Sequence, residues 1–415
     1  MGSLSALAPL LGTPTDPDQQ VTAAHVLQAI GAHEPWLAIF DNAESTEGIR
    51  EYVEPLSGGH VLITSRNEEW SGLAEAVSVT QWRIEESVRF LLHRTGQTDR
   101  ASAEGLAQDL GGLALALEHA ASYMRAGDGI PLAEYRRIWR DKLSRVPGGH
   151  EDYQRSVAAA LALSLDRLGA EAPLAYDLLC LFAWLAPDRI PRKELLEAGS
   201  GKLPPALATV FSDPDRWMDL IEELGRYSLL RRERTDGMVT GYYVHRVVQQ
   251  VIRARLDVEG KQSWVATACD LVSDAFPFDS DEPEFWQACD ALLPHALVLR
   301  DHVRRQDAPS SLGRMLNQAS LYLRVRGRYA EARDFLELAI ELALRQFGPD
   351  HPKVAVRRSN LAIILSASGE HAEALSEMEQ ALQIFKAKLP AGHPSIQQGE
   401  RTHAILEARA RGEAI

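Results

Sequence analysis

The chain has 415 residues, of which 45% are hydrophobic and 25% charged, with a net charge of −14. That length exceeds one ordinary core and predicts about two to four domains in a soluble globular protein. No apolar run approaches the roughly 20 residues of a membrane helix, and the opening MGSLSALAPLLG lacks the basic start of a secretory signal. From Ser311 onward 14 Lys and Arg face 12 Asp and Glu, so this part is about +2 and the first 310 residues carry about −16. An acidic front argues against nonspecific nucleic-acid binding, which works by neutralising phosphates. The three cysteines, Cys180, Cys269 and Cys289, are scattered without a CxxC or a partnering histidine. They predict buried thiols in a reducing cytoplasm rather than disulfides or a zinc site.

Residues 1–80 read as α/β. A helix is expected at Val21–Ile30, a strand at Trp36–Phe40, a helix at Ser45–Val53 and a strand at Val61–Thr64, with a third short apolar piece at Ala76–Val79. Nearly continuous apolar strands alternating with helices predict a parallel sheet covered on both faces. With a strand missing, its unpaired edge would invite association with other chains. The first strand ends in Asp41-Asn42 and the second in Thr64-Ser65-Arg66. A carboxylate at the C-terminal end of such a strand points into the crevice where ligands bind. The plainer alternative is an Asp capping the Ser45 helix region and an Arg on the surface. No GxxxxGK[ST] segment occurs anywhere. Gly199-Ser200-Gly201-Lys202 is a decoy, with Leu196 where a glycine is needed and Leu203 where a hydroxyl is needed.

Residues 81–150 are alanine-rich and helical, with Gly111-Gly112-Leu113-Ala114-Leu115-Ala116 opening an apolar helix and Pro147-Gly148-Gly149 as a linker. Residues 151–258 predict helices and then a hairpin, with Arg226–Glu233 and Met238–Val244 flanking a turn that contains Asp236-Gly237. With a closing helix at Arg246–Arg255, this suggests a winged-helix domain. Arg226, Arg231, Arg232, Arg234, Arg246, Arg253 and Arg255 decorate it. They could meet DNA, as a winged helix can, or pair with the acidic front of the chain.

Residues 259–310 read as an irregular helical linker or degenerate repeat, interrupted by Pro277 and the acidic Asp279–Glu284 stretch. Residues 311–415 hold an internal repeat. Gly327-Arg328-Tyr329-Ala330-Glu331-Ala332 and Gly369-Glu370-His371-Ala372-Glu373-Ala374 stand 42 residues apart, as do His351-Pro352 and His393-Pro394. Such a period predicts helical hairpins, each turning at its glycine and stacking on the next. The resulting groove could grip a peptide or protein, or the two units could simply cap the helices before them.

The repeats resemble tetratricopeptide repeats in their long, kinesin-light-chain-like form. The order WLAIFDNAE, VLITSRN, GGLALALEHA and YVHRVVQQ over residues 36–250, ahead of such repeats, resembles the NB-ARC branch of STAND signal-transduction ATPases. These nucleotide-switch proteins are abundant in actinobacteria with tetratricopeptide tails. The resemblance implies a mainly α fold class: a partial α/β nucleotide-binding fold, a helical domain, a winged-helix domain and an α-solenoid. It implies ADP or ATP with Mg²⁺ as cofactor, Asp41 as the Walker B magnesium residue and Arg66 as the sensor arginine. Gly112, Leu113 and Ala114 match the GLPLA motif, with Ala114 in place of the family's proline. His245 matches the histidine of the MHD-type motif, with Arg246 at its acidic third position; a core or hairpin histidine is the alternative. Asn42 and Thr64 complete the implied binding set.

The family's phosphate loop should precede Trp36, so the chain is expected to start past it and to bind nucleotide weakly or not at all. The expected role is a non-catalytic, cytoplasmic, regulatory scaffold. Its repeats would bind a protein or peptide, and it could self-associate. The alternatives are a winged-helix transcription regulator on DNA, and an active ATPase if another chain supplies the phosphate loop. No HExxH, GxSxG or paired Cys/His constellation points to other chemistry.

Overall fold

A computed structural model describes residues 2–5, 7–16, 18–32, 35–56, 58–65, 67, 69–70, 72–126, 129–144, 152–187, 189–303, 308–309 and 311–411. The chain opens with α1 (Gly2–Ser5), α2 (Ala8–Leu11) and α3 (Gln19–Ala32), then β1 (Leu37–Ala43), α4 (Thr46–Val53) and β2 (His60–Ser65). Helices follow as α5 (Ile84–Thr95), α6 (Arg100–Asp109), α7 (Ala114–Ala126), α8 (Leu132–Ser144), α9 (Asp152–Glu171) and α10 (Pro173–Phe182). After β3 (Ile190–Pro191) come α11 (Pro205–Phe211), α12 (Pro214–Arg226), β4 (Arg231–Thr235) and β5 (Met238–Tyr243). The remainder is helical: α13 (Arg246–Arg255), α14 (Val258–Ala275), α15 (Trp286–Val303), α16 (Leu312–Val325), α17 (Tyr329–Phe347), α18 (Pro352–Ala367), α19 (His371–Lys388) and α20 (Pro394–Ala410). The fold is therefore mainly α, as the sequence implies. Among the described residues no helix is long and apolar enough to cross a membrane.

The chain divides into two compact units, one of residues 1–79, 320–337 and 349–415, the other of residues 80–319 and 338–348. In the first, β1 and β2 pair in parallel, with Leu37 opposite His60 through Phe40 opposite Ile63. Ser45 caps α4 by accepting from the Gly48 N–H at 3.2 Å. Helix α3 buries Ala23, Val26 and Leu27, and the Gln19 N–H donates to the Arg326 carbonyl at 3.1 Å. The turn that follows Arg326 holds Gly327 at φ 72°, where an added Cβ would lie 2.6 Å from the Asp18 carboxylate. Glycine is favoured there chiefly by the backbone conformation.

The repeat pattern has a direct physical meaning. Gly369 turns α18 into α19 at φ 88°, and Ala374 and Ala381 are fully buried, so the helices approach closely. Ala355, Ala381, Phe385 and Ile396 form one core cluster across α18, α19 and α20. Each His-Pro pair is a helix start. His351 and His393 accept at Nδ1 from the N–H groups of Lys353 and Ser395, both at 3.1 Å, with proline in the first turn. A proline there loses no intrahelical bond, because the first N–H groups of a helix have no partner in it.

In the second unit the hairpin forms around Asp236 (φ 52°) and Gly237 (φ 82°), with Thr235 opposite Met238. Two consecutive positive φ values make the two-residue turn that an Asp-Gly pair favours. Trp217 of α12 is fully buried and donates from Nε1 to the Tyr242 hydroxyl at 2.8 Å. The three cysteines are free and buried, and burial pushes the thiols of Cys180 and Cys289 up to about 12.

Three expectations fail. Ala76–Val79 is not a strand, and Val79 is 96% exposed; an apolar run pairs only where a neighbour offers an edge. The first hairpin strand starts at Arg231, because Arg226 still belongs to α12. The parallel sheet is not covered on both faces: Leu37, Ile39 and Leu62 remain 60%, 59% and 52% exposed. The proposed linker at Pro147-Gly148-Gly149 lies outside the described residues.

Candidate functional site

The first group of expected site residues sits on the two-stranded sheet. Asp41 lies within β1 rather than after it, and Thr64 lies in β2. Parallel pairing brings them together, and Thr64 Oγ1 donates to Asp41 Oδ1 at 2.5 Å. The bond fixes the carboxylate and leaves its other oxygen available to a ligand. The backbone of Asn42 continues β1, while its side chain lies outside the described residues, as does Arg66 altogether. Among the described residues no group of three His, Cys, Asp or Glu could hold a metal ion. A lone oriented carboxylate suits a magnesium ion that takes its remaining ligands from water and phosphates.

The second group opens α7. Gly112 has φ 66°, its carbonyl accepts from the Trp82 N–H at 2.9 Å, and an added Cβ would meet the Trp82 carbonyl oxygen at 2.3 Å. The Gly pair thus lets the Trp82 backbone close over the start of the helix. Leu113 is buried and Ala114, the first residue of α7, is exposed.

His245 caps α13, its Nδ1 accepting from the Val247 N–H at 3.2 Å. That bond leaves the proton on Nε2, a donor suited to an anion. Partial burial, then the Arg246 charge, lower its pKa.

Gly112, Leu113, Ala114 and His245 belong to the second unit, whereas Asp41 and Thr64 belong to the first. Within the second unit α7 also carries a buried histidine, His119. This histidine is 1% exposed, donates from Nδ1 to the Tyr227 carbonyl at 3.3 Å, and has no partner for its buried Nε2. Burial lowers its pKa to about 4, against the opposing pull of the Tyr227 carbonyl and the Glu118 charge.

Beside it lies a polar network that sequence reading missed. Glu118 accepts from Arg94 at 2.7 Å, from Ser122 at 3.1 Å and from Ser228 at 2.6 Å. Although burial opposes ionisation, the Arg94 guanidinium and the Ser228 hydroxyl hold the Glu118 carboxyl below its ordinary value. Ser228 takes φ 54°, an uncommon conformation for a residue other than glycine. The one available signal was Glu118-His119 interrupting the apolar run from Leu113 to Ala121. Members of the basic cluster pair with acidic residues nearby in the chain's acidic front: Arg226 with Glu223 at 2.9 Å, Arg232 with Glu222 at 3.5 Å, and Arg255 with Asp166. The Gly199-Ser200-Gly201-Lys202 decoy is a short helical turn, with Gly199 packed against Leu271 of α14.

Comparison with known proteins gives two family matches, a tetratricopeptide repeat over residues 311–387 and a domain of unknown function (DUF7779) over residues 164–261. The chain is similar to a nucleotide-binding leucine-rich repeat (NLR)-like protein of Hyaloscypha variabilis, with 25% identity over 357 residues. That match covers 76% of this chain and 34% of the relative, so the chain spans about a third of the relative's length. Among solved structures it aligns with a STAND protein bearing a tetratricopeptide repeat sensor from Pyrococcus horikoshii. The identity is 11%, the coverage 98% of this chain and 71% of that one, and the TM-score 0.34; no shared fold follows at that score. The protein is thus a mainly helical chain with a tetratricopeptide tail.

Proposed function

We propose that the chain is a STAND-type regulatory protein whose tetratricopeptide tail holds a protein partner and which, within these 415 residues, works as a non-catalytic scaffold. The observation that carries the reading is the Thr64–Asp41 hydrogen bond across parallel strands, upstream of the matched repeats. It supports the reading by orienting the Asp41 carboxylate, the residue that the resemblance would assign to magnesium. The domain reading that goes with it is a partial nucleotide-binding domain to residue 80, a helical domain to 150, a winged-helix domain to 258, a linker to 310, and the repeats.

The binding set of this proposal is Asp41, Asn42, Thr64, Arg66, Gly112, Leu113, Ala114 and His245. Magnesium bound with a nucleotide would neutralise phosphate charge, and Asp41 is the residue to meet it, through water. His245 would donate from Nε2 to a phosphate oxygen. Asp41 suits a magnesium ion and His245 a phosphate oxygen, each taken within its own unit. The set lacks the GxxxxGK[ST] turn, whose backbone N–H groups supply much of phosphate affinity.

Calorimetry of the full chain with ADP and ATP in Mg²⁺, beside Asp41→Ala and His245→Ala, tests this reading. No micromolar binding is the expected result. Micromolar binding lost in both variants would overturn the scaffold and establish a working nucleotide site.

A further inference from the structure

The β3–β5–β4 sheet has β4 at its edge. Beside β4 runs an open groove of about 520 Å³, lined by Glu222, Gly225 and Arg226 of α12 and by Leu230, Arg231, Arg232 and Arg234. Four arginines thus face one groove in a protein whose net charge is −14. The β4 register is irregular between Glu233 and Arg234, and such a bulge re-aims side chains.

Their charges are unevenly used. Arg226 is paired with Glu223, Arg232 lies 3.5 Å from Glu222, and Arg231 stacks over the Tyr243 ring at 4.7 Å. Arg234 is exposed and has no ion-pair partner among the described residues. The groove therefore keeps a surplus of positive charge next to a strand edge. An edge strand presents outward N–H and C=O groups to an added strand, and main-chain pairing with side chains read on alternate positions is an established recognition mode.

We propose that β4 docks an extended acidic peptide segment of a partner protein, which pairs along its edge and places carboxylates against Arg231 and Arg234. Nucleic acid fits the same surface less well. The exposed side of α12, which forms the other wall, carries Asp215, Asp219 and Glu222, and a duplex lying across hairpin and helix would set phosphates against these carboxylates. A single strand confined to the β4 edge meets only Glu222, which Arg232 offsets. Arginine matches carboxylate and phosphate alike with two parallel N–H donors, so the main-chain pairing offered by the β4 edge is what favours a peptide.

The test uses the full chain and a fluorescent, acetylated peptide alternating Glu with Thr and Val, followed by anisotropy at low salt. Its comparison probes are the same peptide with Gln for Glu, the same peptide N-methylated at alternate residues, and a single-stranded oligonucleotide of equal charge. The acidic peptide should bind, and Arg231→Glu with Arg234→Glu should weaken it about tenfold or more. The Gln and N-methylated peptides should lose binding to a similar degree. Arg234→Gln, at an exposed position, should weaken binding severalfold while leaving thermal unfolding unchanged, so the proposal stays testable if the double variant fails to fold. Undiminished binding to a folded variant, or equal binding of the N-methylated peptide, would overturn the proposal. Tighter binding of the oligonucleotide than of the peptide would overturn it in favour of a phosphate-binding groove.

Discussion

The two sheets of this protein have opposite relations to their surroundings. The β1–β2 pair has apolar side chains along each strand yet leaves Leu37, Ile39 and Leu62 open to solvent. The β3–β5–β4 sheet bears mostly polar residues yet is fixed from within, because Tyr242 is fully buried, bonded to Trp217 and stacked on Phe182. Apolar content alone therefore does not anchor a strand. What anchors it is a neighbouring element that removes that content from water.

The comparison predicts that substitutions beside β5 cost far more than those on the open face of β1 and β2. Trp217→Ala should have the largest effect, roughly 3–5 kcal/mol, because it empties a fully buried site and removes the partner of the Tyr242 hydroxyl. Chemical denaturation followed by circular dichroism measures it.

Acid should act next. His119 and His295 are both buried with pKa values lowered to about 4. In the folded state they resist protonation that the unfolded chain accepts near 6.5. Their contribution to stability is thus complete above about 6.5 and is lost as pH falls toward 4, by roughly 3 kcal/mol each. For His295 burial is the cause, opposed by the Arg189 carbonyl; Nδ1 accepts from the Ala186 N–H and Nε2 faces that carbonyl, each at 3.1 Å, so a second ring proton has no acceptor. His295→Gln should flatten the pH dependence of the unfolding midpoint between those limits.

Gly112→Ala should destabilise by about 2 kcal/mol or more, since the new methyl would meet the Trp82 carbonyl oxygen in a backbone conformation that favours glycine. Ser45→Ala should cost about 1 kcal/mol through loss of the α4 cap. Smallest of all, Ile39→Thr should stay within about 0.5 kcal/mol if its face is as open as it stands. A cost above 2 kcal/mol would show that something covers this face in solution.

What was legible in the sequence was local. The Asp236-Gly237 turn, the glycine and His-Pro marks of the repeats, and the helix at Arg246–Arg255 each carry their geometry in a few adjacent residues. The Asp41–Thr64 contact could be anticipated because two apolar strands joined by one helix run parallel. The Glu118 network could not: Arg94, Glu118, Ser122 and Ser228 are brought together by packing, and no spacing announces them. Ala76–Val79 misled for the opposite reason, since three apolar residues around Ser78 look like a strand whether or not an edge awaits them.

The buried cysteines have a practical consequence. A maleimide reacts with thiolate, and burial keeps Cys180, Cys269 and Cys289 both protonated and out of reach. The native chain therefore behaves toward such reagents as though it had no cysteine. One cysteine introduced at the exposed Thr235 would carry a dye alone, beside the arginine groove. Its emission would then report an arriving peptide directly, in a protein with every native residue but one.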